Sequence, residues 1–215
     1  MNKIIHKHKT FWSEKPLRAS AMLSIVFLMF SLLVNYFANI YTSLRAGNYV
    51  SDIILDNIPV FNVDLIFYEG FILFFVLIIC VLLHDPKRIS FVVKSIAVFI
   101  VIRSVFITLT HLAPQPDHSL LDTYNFFLAF TSGNDMFFSS HTGLPFLMAL
   151  IFWDNRNLRI VFLLATIFFA TIVLLGHLHY SIDVFAALFI AHSIFSIVKR
   201  MFAKDYQVFL NAGEN

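Results

Sequence analysis

The sequence predicts an all-α integral membrane protein with six transmembrane helices. Of its 215 residues, 59% are hydrophobic and only 13% are charged, and the mean hydropathy is +0.81. A soluble domain carries about 25% charged residues and fewer than about half apolar ones. A chain of this length cannot bury so much apolar surface in one core, so a soluble enzyme and a disordered chain are both excluded. The net charge of +2 does not favour a nucleic-acid partner. The single cysteine, Cys80, excludes an intrachain disulfide and a cysteine metal cluster.

The spans follow from the length of each apolar run. A bilayer core about 30 Å thick needs about 20 residues of apolar helix. Helices are expected because only helices and closed barrels satisfy their backbone in lipid, and the sequence lacks the alternation typical of a barrel. The six predicted spans are residues 19–41, 65–84, 90–111, 136–153, 159–175 and 182–198.

The chain is predicted to be one membrane domain, residues 1–215, because it contains neither a repeat nor a linker rich in Gly, Ser or Pro. The basic segment 1–18 and the first span resemble a signal peptide. The apolar run is long and no small-residue cleavage site follows it, so we expect an uncleaved anchor. Two longer loops, 42–64 and 112–135, separate the spans, and the apolar tail of the second, LLDTYNFFLAF, suits the membrane surface.

The basic residues predict the orientation. Every Lys and Arg except Arg45 and Arg103 falls on one side if both termini are cytoplasmic, which the positive-inside rule favours. The N-terminal segment 1–18 and the tail 199–215 are then cytoplasmic. The opposite side is acidic, with Asp52, Asp56, Asp64, Glu69, Asp117, Asp122 and Asp135.

A few polar residues interrupt the apolar spans, and an ionisable residue inside a membrane indicates function because burying it in lipid costs several kcal/mol. All of them fall toward the non-cytoplasmic side. They are Arg103 in the third span, His141 at the start of the fourth, and His177, His179 and Asp183 at the start of the sixth.

His179 and Asp183 are four residues apart, which places them on one face of a helix. A carboxylate there can accept a hydrogen bond from one imidazole nitrogen and leave the other free as a nucleophile or base. A structural histidine bonded to a carboxylate would produce the same pattern.

The segment Ser139-Ser140-His141-Thr142-Gly143 lies where a loop enters the fourth span. Unpaired amides at a helix N-terminus carry partial positive charge, which suits a phosphate. Serine hydroxyls add donors, and His141 can give a proton to a leaving oxygen. The alternative is a serine cap with a histidine at the membrane interface.

Arg103 adds a cation whose planar fork matches phosphate oxygens. The alternatives are an arginine that snorkels to the interface, or one paired with a carboxylate such as Glu69.

Three segments together resemble the lipid phosphatase superfamily of type-2 phosphatidic acid phosphatases, and in particular its sphingomyelin-synthase-related branch. They are RSVFITLTHLAPQP from Arg103, DMFFSSHTG from Asp135 and HYSIDV from His179. The resemblance extends over about half of the chain, residues 90–198.

The resemblance implies a six-helix lipid phosphatase or phosphotransferase core that works through a phospho-histidine intermediate. His179 would attack phosphorus, Asp183 would hold its imidazole, and His141 would protonate the departing alcohol. Arg103, Ser139 and Ser140 would bind the phosphate oxygens. No metal or other cofactor is implied. The partners would be a phospholipid or lipid phosphate and the bilayer, and a bacterial inner (plasma) membrane is the expected location.

The chain departs from the family pattern at two places. Ser140 stands where a glycine usually precedes the histidine, and the stretch ATIVLLGHL lacks the Ser-Arg pair of the broader phosphatases. His177 could supply part of that charge as an accessory residue. A competing interpretation is a transporter that uses the polar cluster as a substrate or proton site, and another is a non-catalytic membrane protein with structural histidines.

Overall fold

The computed structural model describes residues 2–116 and 136–212, and all regular secondary structure within these ranges is helical. Short 3-10 turns lie at Leu55–Asn57 and Pro86–Arg88. The α-helices of the described residues are α1 (Asn2–Ser13), α2 (Lys15–Arg45), α3 (Asp64–His84), α4 (Ile89–Leu109), α5 (Ser140–Ile151), α6 (Arg156–Leu175), α7 (Ser181–Met201) and α8 (Ala203–Leu210).

Within the described residues, α2, α3, α4, α6 and α7 are long and apolar enough to cross a membrane. They correspond to five of the six predicted spans. The largest difference is in α2, which begins before and ends after the predicted range 19–41. Pro16 lies in its first turn, where proline is compatible with a helix, so the basic residues ahead of the apolar run are also helical.

The fourth predicted span, 136–153, takes a different form. Its helix α5 has only 12 residues, which corresponds to about 18 Å and is shorter than a bilayer core of about 30 Å. Met136 and Phe138 precede the helix and are buried without being helical. The hydrophobicity of this stretch therefore reflects burial within the bundle, and the described residues do not form the six full-length spans that the sequence predicts.

α5 lies at the centre of the bundle, packed against α6, α7 and α4. Most of its residues are buried, whereas the other apolar helices present large side chains on the outside, such as Phe30, Leu73, Leu164 and Phe189. α2 packs along α4 through small residues. The interior is rich in aromatic and large aliphatic side chains, including Phe91, Phe99, Phe138, Leu147, Met148 and Phe162.

α1 and α8 lie at the same end of the bundle, which we call the terminal end. Lys7 on α1 forms an ion pair of 2.6 Å with Asp85, between α3 and α4. Lys94 on α4 forms a buried ion pair of 2.6 Å with Asp205 on α8, which also accepts a hydrogen bond from Ser20. Both helices lie in the predicted cytoplasmic segments 1–18 and 199–215, for which the sequence analysis assigns no secondary structure.

The opposite end, the site end, is formed by the first loop (residues 46–63), residues 110–116 and the turn between α6 and α7. The backbone N–H of Gly47 donates to the carbonyl of His111 at 2.8 Å. The N–H of Phe61 donates to the carbonyl of Leu175 at 2.9 Å. Asp117, Asp122, Asp135 and the segment LLDTYNFFLAF lie outside the described residues.

Candidate active site

The starts of α5 and α7 meet inside the bundle at its site end. The backbone N–H of Ser139 donates to the carbonyl of Asp183 at 3.1 Å, which joins the two predicted motifs directly. Ser139 is the N-cap of α5, and its hydroxyl accepts from the N–H of Thr142 at 3.4 Å. The capping alternative for this serine is therefore observed, and it places the N-terminus of α5 beside that of α7. Ser140, the first residue of α5, is half-buried.

His179 and Asp183 lie close together, but they do not share a helix face as their spacing predicts, because His179 lies ahead of α7, which begins at Ser181. Nδ1 of His179 lies 3.4 Å from Oδ2 of Asp183, and both side chains are buried. At this separation the two groups are an ion-pair contact, and Nδ1 has no hydrogen-bond partner among the described residues. The same carboxylate oxygen accepts from the N–H of Tyr180 at 3.1 Å. Because Nδ1 faces the carboxylate, Nε2 lies on the opposite side of the ring, as a nucleophilic nitrogen requires.

His141 lies beside His179, with 6.1 Å between the two ring centroids. Its imidazole is 6% exposed, and neither ring nitrogen has a hydrogen-bond partner among the described residues. Phe67 and Phe71 of α3 cover the ring, each with its centroid 4.4 Å from that of His141. A buried polar group without a partner is rare in folded proteins, and it indicates a ligand site when it faces other polar groups.

Arg103 points into the bundle. Its side chain is buried, and Nε donates to the carbonyl of Phe138 at 3.1 Å, just ahead of α5. It lies within electrostatic range of both His141 and Asp183. This burial is contrary to the snorkelling alternative, and Glu69, the carboxylate considered as its partner, is exposed on α3.

The turn between α6 and α7 sets the direction of His179. His177 has a left-handed backbone, with φ of 52°, a conformation that costs most L-residues strain. A methyl group at the preceding Gly176 would overlap Val63 of the first loop. His177 is buried, and its Nε2 has no partner among the described residues.

Together, Arg103, Ser139, His141, His179 and Asp183 converge where two helices begin. A guanidinium, two imidazoles and helix N-terminal amides suit an anion such as phosphate. Within residues 2–116 and 136–212, no cluster of three or more His, Cys, Asp or Glu side chains is placed to hold a metal ion.

Sequence analysis missed four residues around this site: Phe67, Phe71, Asp52 and Tyr180. Asp52 of the first loop accepts a hydrogen bond from the N–H of Ser181 at 2.7 Å, across 129 positions of sequence. Only the negative charge of Asp52 was visible in the sequence. The aromatic residues of α3 were indistinguishable from the other phenylalanines of an apolar span.

Comparison with known proteins agrees with this region of the chain. Residues 132–201 match the model of the family described as PAP2 superfamily C-terminal, and they include His141, His179 and Asp183. The match covers about a third of the chain. It supports the type-2 phosphatidic acid phosphatase superfamily, which suggests a phosphatase-type enzyme acting on lipid phosphate esters, and it does not distinguish the sphingomyelin-synthase-related branch. Searches of curated proteins and of solved structures gave no match.

Gly143 explains how α5 packs so closely beside the site. A Cβ atom at this position would lie 2.9 Å from Cζ of Phe99 on α4 and 3.4 Å from Cβ of Ala187 on α7. Phe99 is 1% exposed, so its ring has little room to move. The glycine after the Ser-Ser-His-Thr stretch therefore meets a packing requirement.

We predict that Gly143→Ala destabilises the protein by about 1–3 kcal/mol, because the added methyl group overpacks the interface of α5 with α4. Thermal unfolding in detergent measures the change. Gly70→Ala is the matched control: the atoms nearest to its Cβ would be in the side chains of Phe168, at 3.3 Å, and Phe169, at 3.5 Å, and the exposed ring of Phe168 can shift. Alanine favours a helix more than glycine does, so this control should not lose stability. Equal stability of the two variants would contradict the packing account.

Proposed function

We propose that this protein is a membrane-embedded phosphotransferase or phosphatase that acts on lipid phosphate esters through a phospho-histidine intermediate. The observation that carries the proposal is the convergence of His179, paired with Asp183, and of His141, whose buried ring nitrogens have no partner among the described residues. The family match over residues 132–201 supports the same chemistry.

In the first half-reaction, Nε2 of His179 attacks phosphorus while the bond from phosphorus to the ester oxygen breaks. Asp183 keeps the Nδ1 proton in place and stabilises the positive charge that develops on the imidazole. His141, protonated, gives its proton to the departing alkoxide, so a neutral alcohol leaves. The negative phosphate itself favours the protonated form of His141.

In the second half-reaction, an acceptor hydroxyl attacks the phosphorus of the phospho-histidine. His141, now neutral, removes the proton of that hydroxyl, and the bond from phosphorus to Nε2 of His179 breaks. Water as the acceptor makes the protein a phosphatase, and a lipid hydroxyl makes it a head-group transferase. We favour the transferase, as in the sphingomyelin-synthase-related branch, because the segments around Arg103, His141 and His179 follow that branch.

The phosphate oxygens need fixed positive charge in the transition state. Arg103, the hydroxyls of Ser139 and Ser140 and the first amides of α5 supply it, since donors held in place act strongly in an interior of low dielectric constant. Ile172 and Val173 are buried among apolar side chains in the stretch where broader phosphatases carry an arginine. His177 is a further candidate for extra charge, because its Nε2 is buried and has no partner among residues 2–116 and 136–212.

The catalytic groups are almost fully buried, so the substrate phosphate must displace part of their cover. Phe67 and Phe71 of α3 lie directly against His141. We place access for the lipid on this side, because the outer face of α3 presents exposed apolar side chains such as Leu65 and Leu73.

We place the site on the non-cytoplasmic side, with both termini in the cytoplasm of a bacterial inner membrane. Lys87 and Arg88 lie in the connection between α3 and α4, and Arg156 and Arg159 lie in the first turn of α6, all at the terminal end, opposite the site. The positive-inside rule assigns that end to the cytoplasm.

We predict that His179→Ala abolishes turnover of phosphatidic acid in detergent micelles without added metal, since the nucleophile is lost. His141→Ala should lower kcat by about 10²–10⁴-fold, the usual contribution of positioned proton transfer. Asp183→Asn should lower kcat by up to about 10⁴-fold, because the amide no longer stabilises the charged imidazole or fixes its tautomer. Release of phosphate and transfer of the head group to added lipid alcohols are measured by mass spectrometry. Vanadate, which mimics five-coordinate phosphorus, should inhibit the wild-type protein.

His192→Ala is the matched control, because it removes an exposed histidine from α7, the helix that carries Asp183. It should retain wild-type turnover. Full activity of both His179→Ala and Asp183→Asn would rule out the mechanism. Movement of lipid across vesicles without any chemical change would favour the transporter instead.

The orientation predicts which exposed positions react with a membrane-impermeant maleimide. In a background with Cys80→Ser, Ile53→Cys lies in the first loop and Asp154→Cys lies between α5 and α6 at the terminal end. We expect Ile53→Cys to be labelled in intact spheroplasts and Asp154→Cys only after permeabilisation. The reverse pattern would place the site in the cytoplasmic leaflet.

A further inference from the structure

A carboxylate from the first loop binds the first peptide of α7. Oδ2 of Asp52 accepts a hydrogen bond from the N–H of Ser181 at 2.7 Å, and Asp52 is only 7% exposed. Ser181 begins α7, and its N–H is one of the helix-terminal donors that have no partner within the helix. Asp52 lies outside the region that matches the family model.

The loop holds this carboxylate firmly in place. Oδ1 of Asp52 accepts from the N–H groups of Ile54 and Leu55 at 2.9 and 3.2 Å. The N–H of Asp52 itself donates to Asp56 at 3.0 Å. Burial raises the pKa of Asp52, but the N–H donors of Ser181, Ile54 and Leu55 outweigh that effect, so its pKa lies below the ordinary value. The side chain is therefore a charged acceptor at neutral pH, with both oxygens engaged.

Tyr180 provides a second link between the loop and α7. Its hydroxyl accepts from the N–H of Val50 at 3.2 Å and donates to the carbonyl of Ala113 at 2.8 Å. Its ring is 1% exposed and packs with Leu55 and Met136. Tyr180 and Ser181 are two of the three residues between His179 and Asp183. The first loop thus holds the backbone that joins the proposed nucleophile to its carboxylate.

We propose that Asp52 is a positioning residue for phosphate transfer, which fixes the first peptide of α7 so that the His179 imidazole keeps its alignment with Asp183. This inference rests on the proposed function. The contact between His179 and Asp183 tolerates little further displacement, because Nδ1 and Oδ2 are already 3.4 Å apart. A displacement of about 1 Å at a reacting group can cost about 10²-fold in rate.

A cap that only stabilises the helix would behave differently. Its removal would lower the unfolding temperature and reduce the folded fraction, but each folded molecule would turn over normally. A positioning residue lowers kcat of the folded protein and leaves KM little changed, because Asp52 does not contact the lipid.

The test compares Asp52→Ala and Asp52→Asn with Asp154→Asn in turnover of phosphatidic acid, per folded molecule after size-exclusion chromatography. For Asp52→Ala we expect kcat to fall by about 10- to 100-fold, the cost of a misplaced reacting group. Asp52→Asn should lie between it and the wild type, because an amide keeps one acceptor oxygen of the two. Asp154→Asn makes the same Asp-to-Asn change at an exposed position between α5 and α6, at the terminal end, so it should match the wild type.

Hydrogen–deuterium exchange of peptides covering residues 177–183 gives a second measurement that is independent of turnover. Asp52→Ala should speed exchange there and leave α4 unchanged, whereas His179→Ala should be inactive yet keep wild-type exchange. Unchanged exchange in Asp52→Ala would overturn the link to α7, and unchanged kcat with lower stability would overturn the positioning role. A wild-type protein that turns over no lipid phosphate would instead overturn the proposed function, while exchange would still report on the link.

Discussion

The hydrogen bond from the N–H of Ser139 to the carbonyl of Asp183 brings two helix N-termini together inside an apolar bundle. Each helix start carries unpaired donors, and a membrane interior offers no water to satisfy them. Side chains satisfy some of these donors. The hydroxyl of Ser139 caps α5, and the carboxylates of Asp183 and Asp52 accept hydrogen bonds from backbone N–H groups at the start of α7. The same arrangement places His141 next to His179. The polar groups of the site are thus part of the packing of the bundle.

The apolar spans could be predicted from the sequence because each of α2, α3, α4, α6 and α7 carries the length and hydrophobicity that lipid requires. The length of α5 could not. Met136 and Phe138 are as apolar as lipid-facing residues, and only their burial beneath neighbouring helices distinguishes them. The proximity of His179 to Asp183 was predictable because only three residues separate them, although His179 lies ahead of α7 and not on its face. The contacts that Phe67 and Asp52 make at the site were not predictable, because both residues come from segments far away in sequence.

The site therefore has two parts with different origins. The C-terminal region, residues 132–201, carries the histidines and the carboxylate and matches the family model. The N-terminal half contributes the other residues. Arg103 supplies positive charge, Phe67 and Phe71 pack over His141, and Asp52 holds the start of α7. We expect chemistry to depend on the first part. Substrate choice and access should depend on the second, because α3 lies between His141 and the lipid.

The central claim is that phosphate is held covalently on His179 during turnover. Rapid acid-free quenching of the wild-type protein during turnover of phosphatidic acid, followed by peptide mass spectrometry, tests it directly. We expect a base-stable, acid-labile phosphate on the peptide containing His179 and on no other described histidine. Phosphate on Ser139, Asp183 or His177, or turnover without any phosphorylated peptide, would contradict it.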